Sequence, residues 1–217
     1  LDPAENIERP SENIVSDGLT DAEDIHHFPR GTNAGICLHE ILEKFDFSLS
    51  AAEQAETVRE SLSRYGFEPR WQPAVHTMLD RCRLAPLTAA YALADIPPQN
   101  RLPEMGFTLY MEDFGLERLR AWFARPNSGL PPECAEAARM LDFKDVQGFL
   151  SGFIDMVYQD SDGLVCIIDY KSNHLGNNAE AYTPQAMNEA MAHHHYYLQA
   201  LIYAIAVARY YALRRRP

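Results

Sequence analysis

The sequence lacks closely spaced cysteines: Cys37, Cys82, Cys134 and Cys166 lie far apart. That spacing excludes the paired ligands of common zinc sites and a dense disulfide framework, and it fits a reducing, cytoplasmic setting. No apolar run is long enough for a bilayer. The longest, Leu198 to Ala208, contains Gln199 and Tyr203 and ends at Arg209, short of the roughly 20 residues a spanning helix needs. No membrane association is expected. There is no GxxxxGK[ST] stretch, so ATP-driven chemistry is not expected of these residues. Internal repeats are absent too. The chain opens on Leu1, not Met, with no apolar leader, and reads as a piece of a longer protein.

Basic residues are also in short supply. Nineteen Lys and Arg against 31 Asp and Glu leave a net charge of −12, which argues against tight nucleic-acid binding by phosphate neutralisation alone. A nucleic-acid function would need the carboxylates to gather around a cation, or another part of a larger assembly to supply the basic track.

What is present suffices for a folded core, since 47% of the 217 residues are hydrophobic. Residues 1–30, acidic and aperiodic, read as an extended arm or linker, and 31–217 as one domain. From Asn33, a candidate N-cap, Leu38, Ile41, Leu42 and Phe45 recur at helical spacing with His39 at the edge of the stripe. Prolines 69, 73 and 86 divide 51–95 into short helical pieces. Then Met105, Phe107, Leu109 and Met111 alternate with Glu104, Thr108 and Tyr110, the pattern of a half-buried strand. A short helix is expected at Leu116–Ala124 and a loop at Pro126–Pro132.

Two strands, Phe149–Tyr158 and Leu164–Lys171, flank the turn-forming QDSDG (159–163) and predict a hairpin. Thr183 and Pro184 predict the start of one long helix reaching about Arg215. Together these elements predict an α/β fold, a small mixed sheet flanked by helices.

Pairing Tyr158 with Leu164 places Asp155 and Asp169 as diagonal neighbours roughly 7 to 8 Å apart, with Lys171 on the same face. Two carboxylates so placed repel unless a proton or a metal ion intervenes. Oxygen ligands favour magnesium, with manganese as a substitute, over zinc, and such an ion polarises phosphate oxygens and acidifies bound water. From spacing alone, Asp169 and Lys171 fit an ordinary charged pair on a solvated strand equally well. Against that, they arrive abruptly at the end of the apolar run LVCII (164–168), where active sites commonly sit. His193, His194 and His195 do not suggest a metal site, because consecutive helical residues point about 100° apart.

The stretches GFLSGFIDMVY (148–158) and IIDYKSNHLG (167–176) resemble the C-terminal nuclease domain of the RecB family, the exonuclease V subunit, within the PD-(D/E)XK nuclease superfamily. The resemblance runs from about His27 to Tyr211. It implies a restriction-endonuclease-like core and assigns Asp155, Asp169 and Lys171 as catalytic, with both aspartates on magnesium. HFPRG (27–31) followed by Leu38-His39 resembles the family's first motif and makes His39 a metal ligand. Glu104, in PEMGFTLY (103–110), resembles an acidic residue that adds a direct or water-mediated contact. Gln199 and Tyr203, in YYLQALIYAIAVARYY (196–211), resemble a substrate-orienting pair, and Tyr170 belongs to the DYKS motif in a supporting role.

The family's domain continues past this last helix into a further strand, so truncation at the C-terminal end is expected. The implied activity is hydrolysis of DNA, mainly single-stranded, in double-strand-break repair and recombination. The implied partners are RecC- and RecD-type subunits, with RecA as a further one. The alternative class is a non-cleaving module that docks DNA or RecA on a nuclease fold. A restriction-type endonuclease would carry a specificity domain, and none is visible.

Overall fold

The computed structural model describes residues 24–88, 91–125, 128–142 and 146–214. The chain divides into two compact units, Leu1–Arg101 and Leu102–Pro217.

The first unit is helical, built on α1 (Thr32–Lys44), α2 (Ala55–Arg64) and α3 (Gln72–Leu84). Each helix buries residues four apart: Cys37 and Ile41, Val58 and Leu62, Val75 and Leu79. That spacing follows from 3.6 residues per turn. The apolar stripe of α1 is centred on Ala34, Cys37 and Ile41, with Leu38 and Leu42 half-buried at its edges. Helix α1 starts earlier than expected. Gly31, at φ 110°, is its N-cap, a conformation side chains rarely adopt. Asn33 therefore lies inside the helix, where its side-chain amide donates to the Tyr65 carbonyl at 2.9 Å.

Glu40 anchors the α1–α2 contact, accepting from Lys44, Arg64, Tyr65 and Ser61. These bonds, that from Lys44 foremost, hold its carboxyl down to about 2. Of the expected N-terminal arm, 1–23 lie outside the described residues. Ile25–His27 forms a short 3-10 turn, and Phe28 is buried against the rings of Phe67 and Trp71.

In the second unit a sheet of order β1-β2-β3 is formed by β1 (Arg101–Phe114), β2 (Val146–Gln159) and β3 (Val165–Ile168). Contacts between Thr108 and Ser151 and between Tyr110 and Phe149 run in opposite directions along β1 and β2, as in antiparallel neighbours. Two glycines fit these strands together. A Cβ on Gly152 would come within 3.0 Å of the Phe107 ring, and one on Gly106 within 3.3 Å of Phe153. Each phenylalanine thus lies across a strand where the partner has no side chain.

The β2–β3 hairpin is antiparallel, but its register differs from expectation. Tyr158 pairs with Cys166, not Leu164. The cause is the turn. Asp160 accepts from the amides of Asp162 and Leu164, its own amide donates to the Leu164 carbonyl, and Gly163 takes φ 82°. Leu164 is thus set against Asp160, in line with Tyr158 on Cys166, which shifts pairing by two residues from the expected register and preserves the face each side chain takes.

Helices α4 (Leu116–Phe123), α5 (Pro132–Arg139), α6 (Pro184–His193) and α7 (Tyr196–Arg214) complete the unit. Thr183 caps α6 through its hydroxyl, which accepts from Ala186 at 3.1 Å. The single long helix expected from Thr183 is in fact two. His195 adopts φ 55°, which breaks the helix. This break directs Tyr197 into a core with Leu119, Phe123, Cys134 and Ala138, while Tyr203, Ala206 and Val207 of α7 pack on Met105, Leu109, Ile154 and Val157 of the sheet. Among the described residues no helix is long and apolar enough to cross a membrane.

A carboxylate and lysine centre on the second unit

Strand β2 runs into the core, and Ile154, Asp155, Met156, Val157 and Tyr158 are all buried. Asp155, only 6% exposed, is the one acid in that run. A buried carboxylate needs hydrogen bonds or a cation. One is supplied by the Tyr170 backbone amide, which donates to Asp155 Oδ2 at 2.6 Å. Extending the observed pairing by one step from Met156–Ile168 sets Asp169 directly opposite Asp155. That register differs from the diagonal relation expected, but β3 itself ends at Ile168, and the group of ligand atoms within 4.8 Å of one another that contains Asp155 and Glu104 does not contain Asp169.

Glu104 lies near the start of β1 with φ 50°, an uncommon conformation for a non-glycine residue and a frequent companion of functional sites. A carboxylate oxygen of Glu104 and one of Asp155 lie within 4.8 Å of each other.

Asp169 follows the last residue of β3 and has its own partners. It pairs with Lys171 and accepts from Gln199 Nε2 at 3.3 Å. Gln199 Nε2 also donates to the Tyr203 hydroxyl at 2.7 Å. Burial first, and then the nearby Asp169 and Asp155, push the Tyr203 phenol up, so it stays neutral and able to hydrogen bond. The Lys171 ammonium lies 4.5 Å from the centroid of the Tyr196 ring, a cation–π contact that restrains it. Tyr196 in turn donates to Asn173 Oδ1 at 3.1 Å.

The second unit therefore brings together Asp155, Asp169, Lys171, Glu104, Gln199, Tyr203 and the backbone of Tyr170. His39 is half-buried on α1, in the first unit. Tyr196 was not foreseen, although it was legible: Tyr196, Gln199 and Tyr203 follow i, i+3, i+7 and share one helix face. His193, His194 and His195 sit at the α6–α7 junction, with His195 Nδ1 at 2.9 Å from the Tyr197 hydroxyl.

A buried aspartate with a second carboxylate at this distance fits a hard divalent cation, which relieves their repulsion and accepts oxygen donors. A lysine paired to a third carboxylate on the neighbouring strand adds positive charge where a phosphate could be held.

A buried aspartate near a second carboxylate, with an aspartate–lysine pair at the adjoining strand end, suits a divalent cation beside a phosphate, and residues 16–216 match the sequence profile of the PD-(D/E)XK nuclease superfamily. The chain belongs to that superfamily. It is 37% identical over 196 residues to the RecB subunit of the RecBCD enzyme of Escherichia coli, covering 88% of this chain and 16% of that protein. The corresponding subunit of Haemophilus influenzae is 32% identical, over 84% of this chain and 14% of its own length. That of Mycobacterium tuberculosis is 29% identical, over 87% and 19%. The chain thus spans about a sixth of the length of these relatives.

Proposed function

We propose that this chain is the magnesium-dependent nuclease domain of a RecB-type subunit, hydrolysing phosphodiester bonds of DNA, mainly single-stranded, during double-strand-break repair and recombination. The observation that carries the reading is Asp155, buried, bound to the Tyr170 amide next to Asp169 and close to the Glu104 carboxylate. Asp155 and Asp169 would hold the cation, with Glu104 contributing directly or through water. His39, carried by the first unit, is proposed as a further ligand on the strength of its motif. When bound, the cation would neutralise phosphate oxygens and acidify a water.

The chain's own groups have separate tasks. The Tyr170 amide fixes the Asp155 carboxylate. As a water attacks the phosphorus and the bond to the leaving nucleotide oxygen breaks, Lys171, restrained by Tyr196, would offer positive charge to the phosphate oxygens on which negative charge builds. Gln199 and Tyr203 orient Asp169 and the strand presented to it. Manganese should substitute for magnesium. RecC- and RecD-type subunits are the proposed partners through a longer chain, RecA is a further one, and the setting is cytoplasmic.

The alternative is a non-cleaving docking module for DNA or RecA. The test is incubation of the purified chain with end-labelled linear and circular single-stranded DNA, with and without magnesium. Metal-dependent cleavage supports the nuclease, and cutting of the circle adds endonuclease capacity. Inertness on every substrate favours the docking module.

A further inference from the structure

Beside the carboxylates, and wholly within the second unit, a pocket of about 340 Å³ opens between β1, β2 and the start of α7. Its walls are mainly apolar, with Phe107, Leu198 and Ile202 prominent, and Gln199 and His195 supply polar groups. The volume falls in the range of small-ligand clefts. Its shape is set by the absence of a side chain at Gly152, which lets the Phe107 ring lie over β2. That ring is held edge-on by Tyr203, with centroids 5.7 Å apart. His195 is fixed at the other side by its left-handed backbone and its bond to Tyr197.

The pocket shares two residues with the centre. Gln199 lines it and also reaches Asp169, and Tyr203 lines it and accepts from Gln199. An occupant is therefore one side chain away from Asp169. It should have apolar faces for Phe107, Leu198 and Ile202 and a polar edge for Gln199 and His195. Net charge adds a constraint: at −12 the chain as a whole disfavours a phosphate backbone, so contact with an uncharged part of the strand offers another means of holding it.

We propose that this pocket receives one unpaired nucleobase from a nucleotide flanking the phosphate that is cut. The proposal rests on the nuclease reading and deepens it, because a base can enter only when it is unstacked and unpaired. The pocket would thereby select single strands and set the register of cleavage.

The test is single-turnover cleavage, in magnesium, of one single-stranded oligodeoxynucleotide sequence carrying an abasic site stepped nucleotide by nucleotide through the cleaved region. The wild-type chain should be slowed about five-fold or more when the abasic site falls at one fixed distance from the cut, and little elsewhere. Leu198→Trp, which fills the pocket, should slow cleavage of intact DNA and flatten that profile. Leu198 also borders a core cluster, so exposed His195 provides a second variant: His195→Ala should reduce the penalty at the same position. A flat wild-type profile with metal-dependent cleavage intact would overturn the pocket assignment alone. So would a penalty that both variants leave unchanged. Absence of cleavage on every strand would remove the nuclease reading and the pocket with it.

Discussion

The backbone amide of Tyr170 donates to Asp155 Oδ2 at 2.6 Å, tying the end of β3 to the buried acid of β2. Asp155→Asn retains an acceptor for that amide and removes a charge close to Glu104. In chelator it should be at least as stable as wild type, because like-charge repulsion is relieved. Asp155→Ala leaves the amide unpartnered and should cost about 1–3 kcal/mol. Both variants should lose cleavage and magnesium binding. Denaturant unfolding in EDTA alongside metal titration checks this, and equal destabilisation by the two substitutions would contradict it.

Glu40 gives the first unit a defined acid response. Its carboxyl titrates at about 2 instead of 4.5, chiefly through the bond from Lys44. A depressed folded-state value means that the stabilisation is fully present above pH 4.5 and is lost as pH falls towards 2. Glu40→Gln should therefore destabilise the chain by about 1–3 kcal/mol at neutral pH, and the difference from wild type should shrink through that window. Paired unfolding curves across pH measure it. A difference independent of pH would assign Glu40 a packing role only.

The elements that sequence made legible are those with local signals. Thr183-Pro184 marks the start of α6 because cap and first-turn proline act within one turn, and the alternation of Met105 and Leu109 marks β1 because its two faces meet different surroundings. The hairpin register was not legible, since Asp160 closes its turn through two specific amide bonds that a count of loop residues does not contain. Nor was the break at His195, where no Gly or Pro marks the stop and the histidines and tyrosines on either side are only middling helix formers. At the centre, Asp155, Asp169 and Lys171 could be named from strand pattern and motif. The bond from the Tyr170 amide to Asp155, the positive φ of Glu104 and the restraint of Lys171 by Tyr196 depend on how strands and α7 meet in space.

Calcium should occupy the centre and inhibit it. Its longer, more variable coordination suits the carboxylates of Asp155 and Glu104 but orders water less strictly than octahedral magnesium. Adding calcium to a magnesium reaction should suppress cleavage competitively in steady-state assays. Rapid turnover in calcium alone would rule this out.

DNA affinity should be weak and dependent on the cation, given the net charge of −12. Fluorescence anisotropy with a labelled single strand should show binding fall away in chelator. A complex that survives chelator at physiological ionic strength would show that the basic residues gather on one surface.

The most direct test of the centre separates two residues that touch each other. Asp169 pairs with Lys171, yet their proposed tasks differ. Asp169→Ala should abolish metal binding and cleavage together, whereas Lys171→Ala should keep or raise magnesium affinity while cleavage falls by about 10² or more. Calorimetric titration and single-turnover cleavage on both variants, after circular dichroism establishes their folding, give the answer. Uncoupling in Lys171→Ala is the predicted result. Near-normal cleavage by Lys171→Ala would contradict it and reduce the lysine to a surface ion-pair partner.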